Sequence, residues 1–190
     1  MPIQRTYRRD DDGVLQFREA WFEQADGEPT GQFVVNHGTV GHQSATQQAV
    51  DVEAEQGAAL MEAFAQQCSE DGYAELADSD QSWVIVQYAL KSAAGTQRDE
   101  YLRDKAVEAL RGHLAWRGLG TVESSDFAPR KLNIRILSPE PAKAVTAITV
   151  CIRQAKLDFT KLSIAVAPFG DPEAAKQKYP MPPKAPFSLS

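Results

Sequence analysis

The sequence has almost no cysteine: Cys68 and Cys151 are the only two in 190 residues. A scaffold stapled by several disulfides is thereby excluded. One bridge between the two or a pair of buried thiols both fit, and a reducing compartment favours the thiols. Histidine is equally sparse. His37, His42 and His113 stand at no spacing with cysteine or carboxylate that suits zinc, so no metal and no cofactor is expected. No run of 18 apolar residues occurs, which excludes a membrane-spanning helix. The opening MPIQRTYRRDDDG lacks the apolar stretch of a signal peptide, and the expected location is the cytoplasm.

Catalytic signatures are also missing. No glycine-rich phosphate loop, G-x-S-x-G elbow, H-E-x-x-H or C-x-x-C motif is present. Gly112, Gly118 and Gly120 end a helical pattern instead of opening one after a strand. His37 and His42 flank a glycine turn with Ser44 nearby, but no local acid orients either imidazole, so a structural or interface role is expected for them. His113 falls near a helix C-terminus, where a protonated imidazole favours the helix dipole. The chain is expected not to be an enzyme.

Lysine is absent from the first 80 residues. That stretch holds four Arg and sixteen Asp plus Glu, a net charge of −12, whereas residues 81–190 hold sixteen Lys plus Arg against ten Asp plus Glu, a net of +6. The first part repels a phosphate backbone and suits a basic protein, and an acidic surface of this kind also aids solubility. Asp10, Asp11 and Asp12 form three adjacent carboxylates. Cation sites space their ligands and recruit carbonyls, so a solvated turn is the expectation there.

A hydrophobic fraction of 43% supports a packed core, and the length suits two domains. Gln4–Arg9 reads as a strand, and Asp10–Gly13 as a hairpin turn. Leu15–Glu23 follows, with Leu15, Phe17 and Trp21 expected to point inward. A turn over Asp26–Gly31 precedes a strand from Gln32 through Val35 into Asn36–Gly41, and Ser44–Val50 makes a fourth. Asp51 is the expected N-cap of a helix over Val52–Ser69 with Leu60, Met61, Phe64, Ala65 and Cys68 on one face. Gly72 is expected to end it in a left-handed conformation.

The second half opens with a strand over Ser82–Leu90. Thr96 and Asp99 form a capping box for a helix that buries Leu102, Ala106, Val107, Leu110 and Leu114. Strands over Gly120–Ser124 and Lys131–Leu137 follow, then a helix begun at Ser138–Pro139 with Ala144, Ile148, Cys151 and Ile152 as its stripe. Lys161–Ala167 closes the pattern. The order β-α-β-β-α-β is the ferredoxin-like arrangement, with both helices on one sheet face and the other face open. The fold class is therefore α+β, with domains at 1–77 and 82–168, a linker at 78–81 and a Pro-rich tail at 169–190. The tail is expected to lack regular structure, with Tyr179 and Phe187 as its anchors.

The first 77 residues resemble the WGR module of poly(ADP-ribose) polymerases and many bacterial proteins. The residues that carry the likeness are Trp21–Phe22, the run Phe33-Val34-Val35-Asn36-His37-Gly38-Thr39-Val40-Gly41, the helix Val52–Ser69, and Gly72–Tyr73. The resemblance implies a small antiparallel sheet with one helix. His37 stands at the family's tryptophan and Thr39 at its arginine, the two residues that help hold DNA ends in the eukaryotic polymerases. Their loss, in so acidic a stretch, makes nucleic acid an unlikely partner of this domain. The second domain is similar to uncharacterised bacterial ferredoxin-like proteins in its Gly118-Leu119-Gly120-Thr121-Val122 and Lys131-Leu132-Asn133-Ile134-Arg135-Ile136 segments.

The expected function is non-enzymatic protein binding, in the manner of a bacterial immunity protein that neutralises a cognate toxin through an acidic surface. The candidate contacts are Asp10, Asp11, Asp12, Glu19, Glu23, Asp26 and Glu28, with His37 and Thr39 beside the glycine turn. The alternative is a nucleic-acid-associated regulator using Arg130, Lys131 and Arg135 on the open sheet face, although that face lacks the aromatic residues that stack on bases.

Overall fold

The computed structural model describes residues 3–183 and 185–190, which form a mixed α/β structure with two antiparallel sheets and three helices. The chain divides into two units, Met1–Leu76 with Trp116–Gly118, and Ala77–Ala115 with Leu119–Ser190. Residues 116–118, which follow a helix of the second unit, thus belong with the first.

In the first unit β1 (Gln4–Arg9), β2 (Leu15–Glu23), β3 (Thr30–Thr39) and β4 (Ala45–Glu53) form an antiparallel meander, followed by α1 (Ala54–Glu70). The sheet has two differently used faces. Ala20, Phe22, Phe33 and Val52 form a buried cluster with Val35, Leu60, Met61 and Phe64, the last three from α1. On the other face lie Leu15 and Phe17, as the alternation predicts, but Trp21 is only half-buried. Its neighbour Phe22 takes the deep position instead, because β2 is buried on both sides.

Asp51 is not the N-cap of α1. It lies within β4 at φ 56°, in a bulge where the β3–β4 register shifts between Gly31 and Phe33, and Glu53 precedes the helix. The C-terminus follows the expectation. Gly72, at φ 77°, donates its N–H to Ser69 O at 3.1 Å, and Tyr73 donates to Cys68 O at 2.8 Å. These are the two bonds of a Schellman cap. The next residue, Ala74, bridges Tyr7 on β1.

The second unit contains β5 (Ser82–Ala89), α2 (Gln97–Ala115), β6 (Thr121–Ala128), β7 (Lys131–Ser138), α3 (Pro141–Gln154), β8 (Leu162–Pro168) and β9 (Lys176–Tyr179). Its strand order is β6-β7-β5-β8-β9, antiparallel throughout. Val84, Val86 and Tyr88 stand in register with Ile136, Ile134 and Leu132, and all six are fully buried. The helices bury Ala106, Leu110 and Leu114 on α2, and Ala144, Ile148, Cys151 and Ile152 on α3. The Thr96–Asp99 capping box is formed, with the Thr96 N–H donating to Asp99 Oδ2 at 2.9 Å.

Two boundaries and the tail of this unit differ from expectation by several residues. α3 starts at Pro141, which takes the first-turn position expected of Pro139. β6 runs on to Ala128, because Asp126 pairs in register with Asn133. The tail is not free of regular structure: β9 adds an edge strand beside β8. Tyr179 packs against Phe159 with centroids 5.2 Å apart, whereas Phe187 is half-buried and Leu189 is the deep anchor. Cys68 and Cys151 are buried, one in each unit, and are not joined in a disulfide.

Candidate functional site

The seven acidic candidate contacts of the first unit divide into three groups. At the β1–β2 turn, Asp10 is an organiser: its carboxylate accepts the Val14 N–H at 2.8 Å and Gln16 Nε2 at 3.0 Å. The Gln16 hydrogen bond, with help from backbone donors, holds the Asp10 carboxyl below the usual carboxylate range. Asp11 and Asp12 project from the same turn into solvent. At the far end of β2, Glu23, Asp26 and Glu28 are also exposed. The nine residues of β2 set these two ends about 26 Å apart.

Glu19 is the third group, and it is a correction. It is 1% exposed and paired with Arg5, its register partner on β1, with Arg5 Nε donating at 2.5 Å. Asn36 Nδ2 donates to the other Glu19 oxygen at 3.5 Å, and Thr46 Oγ1 donates to Asn36 Oδ1 at 2.8 Å. A carboxylate so enclosed is a core element and no contact for a partner.

The residues at the glycine turn are dispersed. Thr39 Oγ1 donates to Gln16 Oε1 at 3.0 Å, so Thr39, Gln16 and Asp10 form one hydrogen-bonded chain. His37 is half-buried opposite Arg18, and His42 is exposed. Among the described residues neither imidazole has a hydrogen-bond or ion-pair partner. The turn is held through its backbone: Gly41 N donates to Arg117 O at 2.8 Å and Ser44 N to Trp116 O at 2.9 Å.

One cluster was hidden from the sequence reading. Arg18 and Arg8 lie over the Tyr73 ring at 4.3 and 4.8 Å from its centroid. Arg18 Nη1 is 2.5 Å from Asp71 Oδ2, and Arg8 Nη1 donates to the Asp71 carbonyl at 2.9 Å. The Arg18 hydrogen bond pulls the Asp71 carboxyl below its ordinary value. The only signal in the sequence was Gly72–Tyr73 at the helix end. The cluster matters for charge: Arg5 and Arg18 are engaged by Glu19 and Asp71. Among the described residues no cation pairs with Asp11, Asp12, Asp26 or Glu28.

The basic strand of the second unit is also engaged, and its sheet face is not open. Residues 188–190 cross it. Lys131 Nζ donates to Ser188 O at 3.0 Å and Ser190 O at 2.7 Å, Asn133 Nδ2 to Leu189 O at 3.1 Å, and Gln87 Nε2 to Ser188 O at 2.9 Å. Arg135 is ion-paired with Asp126. Arg130 sits in the β6–β7 turn at φ 61°. Short local patterns on β7 show which side chains share a face, but not that a segment over 50 residues away covers them.

Among the described residues no group of three or more His, Cys, Asp or Glu side chains is placed to hold a metal, and no helix is long and apolar enough to cross a membrane. No protein-family model matches the chain, and neither a curated protein nor a solved structure matches it.

Proposed function

We propose that this chain is a non-enzymatic, cytoplasmic protein-binding module of the immunity type, whose acidic first unit docks a basic protein. The observation that carries this reading is the charge of residues 1–76, fourteen Asp plus Glu against four Arg, together with the exposed carboxylates of Asp11, Asp12, Asp26 and Glu28, which among the described residues have no cation partner. A standard interface covers about 800 Å² per partner, a patch roughly 30 Å across, so one partner can reach both acidic turns. Opposite charge would accelerate encounter and make it sensitive to salt.

We read the first unit as a divergent WGR-like domain and the second as ferredoxin-like with an added edge strand. The meander, helix and Gly72–Tyr73 closure support the first assignment, and the β6-β7-β5-β8 order supports the second. The engagement of Lys131 and Arg135 disfavours the nucleic-acid alternative.

The test is affinity capture from the native host, comparing the wild type with a variant carrying Asp11→Lys, Asp12→Lys, Asp26→Lys and Glu28→Lys. A basic protein bound stoichiometrically by the wild type and lost in the variant is the expected result. Equal capture by both, or recovery of nucleic acid that is released by salt, would overturn the proposal.

A further inference from the structure

The second unit, rich in cations compared with the first, concentrates some of them around a cavity of about 470 Å³ at the N-terminal end of α2. Its walls come from the end of β5, the segment leading into α2, and the loop between α3 and β8. Lys91, Arg98, Lys156 and Lys161 line it, against the carboxylates of Asp99 and Asp158. Both carboxylates already have partners. Asp99 accepts the Thr96 N–H at 2.9 Å and the Thr96 hydroxyl at 2.8 Å, and Asp158 accepts the Thr160 N–H at 3.0 Å and its hydroxyl at 2.7 Å. Lys161 reaches Asp158 only at 3.8 Å, and among the described residues Lys91, Arg98 and Lys156 form no ion pair.

A second observation points the same way. Tyr88 lines the cavity on a side chain with no exposed surface, and among the described residues its hydroxyl has no hydrogen-bond partner. A buried hydroxyl without a partner is costly, and it can donate to whatever enters. The positive end of the α2 dipole adds to the field of the four cations. The rest of the lining mixes apolar side chains, among them Leu90, Leu102 and the exposed ring of Tyr101, with Ser92 and Thr96. The volume falls in the range of small-molecule sites, well above what a bare oxyanion fills.

We propose that this cavity binds a small organic phosphate, with its phosphate between Arg98, Lys156 and the Tyr88 hydroxyl and its apolar body toward Tyr101. The site is independent of the acidic surface of the first unit, so either reading can fail without the other.

The experiment is an amide NMR titration of the full chain with three probes: adenosine 5′-monophosphate, inorganic phosphate and adenosine. Adenosine monophosphate should give saturable shifts confined to residues 88–102 and 156–161. Inorganic phosphate should bind more weakly and compete, and adenosine should not bind. Arg98→Gln with Lys156→Gln, both exposed positions, should weaken adenosine monophosphate at least about tenfold. Tyr88→Phe, which keeps the ring packed, should weaken it roughly threefold. No saturable shift at millimolar adenosine monophosphate would overturn the proposal. So would equal binding of adenosine, equal binding of inorganic phosphate, or an unchanged affinity in the folded double variant.

Discussion

Two glycines near helix ends predict opposite responses to the same substitution. A Cβ built on Gly57, in the first turn of α1, would lie 2.6–2.8 Å from three ring carbons of Phe22. That ring is 3% exposed and belongs to the cluster with Ala20, Phe33 and Val52, so it has little room to withdraw. Overpacking of this kind costs about 1–3 kcal/mol. The gain in helix propensity is at most about 1 kcal/mol and smaller in a first turn. Gly57→Ala should therefore destabilise by about 1 kcal/mol, a loss of roughly 2–4 °C in Tm for a chain of this size. Gly112, in the last turn of α2, has nothing within 4 Å of its added Cβ. Gly112→Ala should stabilise by about 0.5 kcal/mol. Urea unfolding followed by far-ultraviolet circular dichroism separates the two signs. Phe22→Leu in the Gly57→Ala background should recover part of the loss by relieving the clash. If Gly57→Ala is as stabilising as Gly112→Ala, the close packing of α1 on Phe22 is refuted.

Two further outcomes follow from the ion pairs. Glu19→Ala strands the Arg5 guanidinium, whose side chain is only 12% exposed, and should cost about 3–5 kcal/mol by urea midpoint. Replacing both residues by Met should cost less than the single change, and a single-variant loss below about 0.5 kcal/mol would refute the enclosure of the pair. The lowered Asp71 pKa means that its contribution is complete above the ordinary aspartate value of 3.8 and is lost as pH falls through the lowered value. The Tm of Asp71→Asn should consequently fall less steeply with acid than that of the wild type, and identical slopes would show that the Arg18 pair adds nothing.

Much of the local structure was readable from residue order, because its causes are local. The period-2 alternation of β5 and β7, the Thr96–Asp99 box and the left-handed Gly72 each depend on neighbours within a few residues. The boundaries that moved did so where pairing overrode local preference. Asp51 is a good cap by type, yet the ladder between β3 and β4 draws it into a bulge.

Sequence by itself determined the strands and helices other than the edge strand β9, the uneven distribution of charge, and most of the helix-facing core. Tertiary structure alone decided which charges remain available to a partner. Glu19 and Asp26 are the same kind of acidic residue in one hairpin, but register sets Glu19 opposite Arg5 and leaves Asp26 on an exposed turn. Lys131 looks free on β7 until residues 188–190 arrive over it. The cavity beside Tyr88 likewise draws on Arg98 and Lys156, 58 positions apart in the chain. Periodicity tells which side of an element a residue occupies. What covers that side depends on contacts between distant segments, whose free energy no short window of sequence contains.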